Sequence, residues 1–207
     1  MQPTGGPEAR AGRIVLLGDS VFDNQSYVAR GAATTDALVA RLPPGWTCTL
    51  LAQDGSVIDE VARQLMHLPS DASQLVVSTG GNDALSDAGI LSERATSVGE
   101  GLWKLGQVAD RFERRYRDML GKVRARRLPA LVCTIYNGDF ADADVQRVTA
   151  TALTVFNDAI IRATWSAGLP ILDLRSVCDE PEDYVNEIEP SARGGQKIAD
   201  AIVRALG

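Results

Sequence analysis

The sequence predicts an α/β protein, a three-layer α/β/α sandwich around a parallel sheet of five strands. Three observations carry this. Five short apolar runs recur along the chain. Segments with helical periodicity separate them. The first, third and fourth runs are nearly continuous apolar stretches, the pattern of strands covered on both faces.

The elements follow in order. The first strand is "RIVLLG", from Arg13, and the second "WTCTLLA", from Trp46. Val57, Val61, Leu65 and Leu68 then recur at helical spacing and predict a helix. "QLVVSTG", from Gln74, is the third strand. A long stripe follows, made of Leu102, Leu105, Val108, Phe112, Tyr116, Met119 and Val123. Its opposite face carries Asp110, Arg111, Arg114, Arg115 and Asp118, which marks a solvated amphipathic helix. "ALVCTIY", from Ala130, is the fourth strand, and Val145 to Ala163 form the next helical stripe. "PILDL", from Pro170, is a shorter fifth strand, and Ile198, Ile202 and Leu206 lie on a closing helix. Residues 1–12 are polar and Gly/Pro-rich and are expected to form a flexible tail on a single domain, 13–207.

Composition removes several function classes. The formal net charge of −6 argues against nucleic acid or an anionic membrane as partner, because both require a basic face. Arg124, Arg126 and Arg127 are too short a run to reverse this, and they suit a helix C-terminus. Cys48, Cys133 and Cys178 are scattered singly, with no metal-type or disulfide-type spacing. The first residues contain no apolar stretch of signal-peptide type, and the expected location is cytoplasmic.

Ligand sites in such sheets lie beyond the carboxyl ends of the strands. The residues found there are polar. "GDSVFDN" follows the first strand, "QDGS" the second and "GGND" the third, and "NEIEPS" precedes the last helix. Ser20 is a candidate nucleophile. Glycine N–H groups and the Asn82 amide are candidate donors to a developing oxyanion.

With these blocks in this order, the chain resembles the SGNH/GDSL hydrolase superfamily from about Arg13 to Leu206. The resemblance implies a flavodoxin-like three-layer fold and hydrolysis of an ester, thioester or acetyl group without a cofactor. It assigns Ser20 of "LLGDS" as nucleophile. It makes Gly55 and Asn82, with the Ser20 N–H, the oxyanion donors. The substrate implied is a small-molecule ester.

The last block departs from the pattern. Where the family has Asp-x-x-His, this chain has Asn186-Glu187-Ile188-Glu189, followed by Pro190 and Ser191. Pro190 suits the first position of the last helix, which puts Glu189 at or beside its N-cap. His67, the single histidine, falls at the end of the second helix, at the sheet edge opposite Ser20.

A histidine base becomes positive and needs an anion behind it, whereas a glutamate base starts negative and needs a donor. Asn186 with its amide is expected to supply that donor to Glu189. Glutamate is a weaker base than histidine by roughly two pKa units. A helix N-terminus lowers it further, and nearby acids (Asp19, Asp23, Asp54, Asp83, Asp183, Glu187) raise it. The expectation is a slow or acid-shifted hydrolase. The alternative is a pseudoenzyme or binding protein that keeps the oxyanion pocket without turnover. Asp19, Asp23 and Asp83 are expected to cap helices and brace loops. Asp23 and Asn24 are alternatively in reach of substrate, and the acid cluster alternatively holds a cation.

Overall fold

The computed structural model describes residues 11–206. The tail predicted over residues 1–12 thus falls almost wholly outside the described residues. Five strands form one parallel sheet: β1 (Gly12–Gly18), β2 (Trp46–Leu50), β3 (Gln74–Ser78), β4 (Ala130–Cys133) and β5 (Ile171–Leu172). Their spatial order is β2-β1-β3-β4-β5. The helices are α1 (Thr34–Val39), α2 (Val61–Gln64), α3 (Gly81–Ser86), α4 (Val98–Arg124), α5 (Ala143–Ser166) and α6 (Ala192–Leu206).

Alternate side chains of the buried strands feed two separate cores. Val15, Leu17, Leu75 and Val77 point to one face and pack with Val61 of α2, Phe112 and Tyr116 of α4 and Ile160 of α5. Ile14, Leu16, Val76 and Leu131 point to the other and pack with Leu38 of α1 and Ile198 and Ile202 of α6. Period-two alternation between two apolar faces explains why these strands read as continuous apolar runs.

Two elements differ from the sequence prediction. The stripe from Val57 to Leu68 is not one regular helix: only Val61–Gln64 is α-helical, between 3₁₀ turns at Ile58–Glu60 and Leu65–His67. A stripe of four apolar residues fixes which side is buried, and 3₁₀ and α turns satisfy it equally. The last helix starts at Ala192, not at Pro190. The Ser191 Oγ accepts from the Gly194 N–H at 3.2 Å, and the Ser191 carbonyl from the Gly195 N–H at 2.8 Å, so Ser191 is the capping residue. Pro190 instead pairs with Tyr184 in an isolated antiparallel bridge.

The chain order runs outward in both directions from β1 and β3, which makes the gap between their carboxyl ends the topological switch point. Ser20 follows β1 and Asn82 follows β3. Among the described residues no helix is long and apolar enough to cross a membrane.

Candidate active site

The turn that carries Ser20 is fixed from below. Gly18 has φ +124°, and a side chain there would collide with the Ser78 carbonyl, so only glycine fits. The Gln64 side chain clasps Gly18: its Oε1 accepts the Gly18 N–H and its Nε2 donates to the Gly18 carbonyl, both at 2.8 Å. The Asp19 N–H donates to the Ser78 carbonyl at 3.2 Å, which ties the turn to β3. Ser20 is only 7% exposed, and its hydroxyl donates to Glu189 Oε1 at 3.0 Å across 169 residues of chain.

Glu189 is 5% exposed and sits in a loop held through its backbone on several sides. The Val185 N–H donates to the Glu189 carbonyl at 2.9 Å. Tyr136 Oη donates to the Ile188 carbonyl at 2.7 Å, and Asn24 Nδ2 to the Pro190 carbonyl at 3.1 Å. Asn24 is fully buried and also accepts the Thr34 N–H at 2.9 Å. It is a tie between loops, and a role in contacting substrate does not fit that burial.

Asn186 departs from its expected part. Its Oδ1 accepts the N–H groups of Ile188 at 3.0 Å and Glu189 at 2.9 Å, closing an Asx turn on the exposed side of the loop. The acceptor end of the amide is used, on the backbone, and the carboxylate receives nothing from it. Asn186 therefore positions Glu189 by shaping the turn. Asn186→Ala is expected to cost about 1–2 kcal/mol of stability, measured by urea unfolding. Asn186→Asp, which keeps the acceptor, is expected to recover most of it, whereas a donor role predicts no recovery.

Burial pushes the Glu189 carboxyl up to about 7; the Ser20 hydrogen bond pulls it down and the Asp54 charge adds to the rise. Its Oε2 is buried and has no hydrogen-bond partner among the described residues. Asp19 is also pushed to about 7, first by burial, against the Val21 N–H, with Glu189 and Asp83 raising it further. Neither carboxyl sits at the N-terminus of α6, so the lowering expected from a helix end does not arise. The Glu189 carboxyl is thus shifted up toward the ordinary histidine value near 6.5, not down as a helix N-terminus would shift it.

A carboxyl whose pKa rises on folding holds its proton in the folded state where the unfolded chain has lost it. Stability then falls as pH rises from about 4.5 to about 7. Glu189→Gln removes this penalty. It is expected to raise stability at pH 8 by on the order of 2–3 kcal/mol, read as a higher thermal midpoint, and to leave it nearly unchanged at pH 4.5.

The remaining predicted residues separate into those the cavity brings together and those it does not. Ser20, Asp19, Asn82 and Glu189 line one cavity of about 560 Å³, and Gly55 and Asn186 are not part of its wall. The other walls come from segments 84–92 and 135–140 and the face of α5. Asn82 lies in the first turn of α3, and its Nδ2 donates to the Ser56 carbonyl at 2.9 Å. That bond fixes the amide plane and leaves its second N–H to a ligand. Gly55 has φ +75° with open space around it, so backbone conformation alone favours glycine there. Among the described residues, neither the Ser20 N–H nor the Gly55 N–H donates to a backbone carbonyl.

Asp23, Asp54, Asp83 and Asp183 are engaged by groups of the protein, whereas Glu187 is exposed. Asp23 accepts the Asp54 N–H at 2.9 Å, and Tyr27 Oη donates to Asp54 at 2.9 Å. Asp83 accepts the Ile58 N–H at 2.9 Å and faces Arg115 at 2.8 Å. Asp183 pairs with Lys197 at 2.6 Å. No three His, Cys, Asp or Glu side chains among the described residues gather as a metal site. His67 is exposed just before β3, at the edge away from Ser20. Arg193 is engaged by Glu180, Glu182 and Asp183 and leaves Glu189 free to face Ser20.

Sequence reasoning missed Gln64 and Tyr136. Gln64 had a signal, a polar residue between Val61 and Leu65 on the buried side of its turn. Tyr136 had none, since its partner is a backbone carbonyl 52 residues away.

The family's sequence profile, described as the GDSL-like lipase/acylhydrolase family, matches residues 16–197. The chain belongs to this family. No curated protein matches its sequence significantly. Similar solved structures include an extracellular lipase from Streptomyces rimosus, with 15% identity and a TM-score of 0.71, covering 94% of this chain and 100% of that one. A phospholipase A1 from Streptomyces albidoflavus NA297 has 17% identity and a TM-score of 0.70, covering 95% and 99%. The acetyl xylan esterase AlAXEase has 16% identity and a TM-score of 0.67, covering 94% and 100%. At such identities the likeness to these three is one of fold. Members of the GDSL-like family are lipases and acylhydrolases, and the α/β fold with its five-stranded parallel sheet is the one its hydrolases share.

Proposed function

We propose that this protein is a serine ester hydrolase whose base is Glu189. The observation that carries the reading is the Ser20–Glu189 hydrogen bond of 3.0 Å in a buried site. A nucleophile and base in hydrogen-bond reach are the minimal machinery for acyl transfer.

In the first step Ser20 Oγ attacks the acyl carbonyl carbon as its proton passes to Glu189 Oε1. The carbonyl electron pair moves onto oxygen. The Ser20 N–H and the Asn82 amide, both from residues of the cavity wall, receive that oxyanion. Collapse breaks the bond to the alcohol oxygen, which takes the proton from Glu189 as it leaves. Water then attacks the acylated Ser20 and gives a proton to Glu189. The acid departs, and Ser20 recovers its proton. Asn186 takes part only by holding the Glu189 turn. No cofactor enters these steps.

The partner implied is a small-molecule ester, with no role for nucleic acid or membrane. A cytoplasmic location suits the three unpaired cysteines, which stay reduced there. The test is covalent labelling with an alkyl fluorophosphonate, followed by peptide mass analysis. Phosphonylation of Ser20 at neutral pH, slowed in Glu189→Gln, is the expected result. A protein that stays unlabelled yet binds carboxylates supports the binding-protein alternative.

A further inference from the structure

The cavity that holds Ser20 extends far beyond what an acetyl group fills. One face of α5 lines it continuously: Val145, Val148, Thr149, Ala152, Leu153 and Phe156. These positions share one side of a helix and span about 16 Å of its axis. Their exposure changes in one direction. Val145 and Val148 are 46% and 47% exposed, while Ala152 and Phe156 are buried.

The floor lies level with the strand ends. The Asn157 side chain clasps the backbone of Ile135, just beyond β4, accepting its N–H and donating to its carbonyl, both at 2.8 Å. Phe156 therefore sits at the height of the catalytic turns, against Phe112 at 5.0 Å between ring centres. From that floor the cleft rises along the first three turns of α5 to its lip. Leu91 and Leu105 line the same cleft, and Leu85 and Leu91 are themselves exposed.

We infer that this cleft seats the acyl chain of the ester, running from Ser20 outward along α5, and that the substrates are medium-chain acyl esters. The inference rests on the ester-hydrolase reading, because the same cavity holds Ser20, Asn82 and Glu189. Sixteen ångströms accommodate an extended chain on the order of ten carbons, given C–C bonds of about 1.5 Å. An acetyl group leaves this apolar surface wet, whereas each added methylene buries part of it. The lip is open, so chain length has no sharp upper limit, and the gain levels off once the chain passes Val145.

The test compares p-nitrophenyl acetate, butyrate and octanoate below their micellar concentrations, with Val148→Asp and Ala152→Phe. Val148 is half-exposed, so Val148→Asp folds even if filling the cleft at Ala152 does not. Wild-type kcat/KM is expected to rise at least about tenfold from acetate to octanoate. The octanoate-to-acetate ratio is expected to fall about tenfold in each variant. Calorimetric titration of Ser20→Ala with decanoate is expected to show binding that Val148→Asp weakens. A flat or falling length profile, an unchanged ratio in Val148→Asp, or no decanoate binding overturns the inference. So does a wild-type dimer that Val148→Asp dissociates, which would give this face to a second copy of the chain. Decanoate binding with the expected loss, but no ester hydrolysed, leaves the groove standing and removes the hydrolase reading instead.

Discussion

Ser20→Ala is expected to lower kcat for short acyl esters by at least about 10³-fold, measured by initial rates at pH 8. The alanine side chain has no atom with which to form the acyl intermediate. What remains is water attack on an ester polarised by the oxyanion donors. The fold is expected to persist. Ser20 contributes a single side-chain hydrogen bond, to Glu189, and the turn is held by Gln64, Gly18 and Asp19 through bonds that do not involve its hydroxyl. Removing that bond takes a stabilising donor from the carboxylate and raises the Glu189 pKa further. Loss of activity with a normal unfolding transition is therefore the expected pair of results.

Glu189→Gln is expected to lower kcat by about 10²- to 10⁴-fold, the range of a general base. Glutamine is close in shape and still hydrogen-bonds Ser20, so the geometry survives and the proton acceptor is lost. The same substitution is expected to raise stability at pH 8, because it removes a buried charge. A residue that costs stability and supplies activity is the usual mark of a functional group.

The charge flow of the proposed mechanism accounts for a Glu189 Oε2 with no partner among the described residues. A histidine base creates a cation, and a carboxylate behind it stabilises that charge. In the proposed mechanism the negative charge would move from Glu189 to the oxyanion, and no new charge would appear. A donor or cation on Oε2 would lower the pKa and weaken the base. Burial, with the Asp54 charge added and the Ser20 hydrogen bond opposing, pushes it up to about 7. The pairing expected from the sequence, Asn186 donating to Glu189, would lower that pKa and so weaken the proposed base.

The strands and the long helices were legible because their signals are local. Leu102 to Val123 show their buried face by spacing alone, and so do Val145 to Ala163. The broken second helix was not, since four apolar positions do not distinguish α from 3₁₀ turns. In the candidate site, Ser20, Gly55 and Asn82 stood out because each follows a strand in a short polar block. The Asn186–Glu189 segment was found by its place in the chain, but its geometry was misread. Pro190 is compatible with both a helix start and a bridge, and its bond to Asn24 spans 166 residues. The Glu189 pKa was equally out of reach, because burial sets it and burial is a property of the packed loops.

The central claim is that Glu189 acts as the base for Ser20. The most direct measurement is kcat/KM for a soluble ester from pH 4 to 9, for wild type and Glu189→Gln. Wild-type activity is expected to rise with pH through about 7, as the carboxyl ionises, and then to level off. In Glu189→Gln that rise disappears together with most of the rate. A Glu189→Gln enzyme with wild-type rates, or one that keeps the same rise near pH 7, would contradict it.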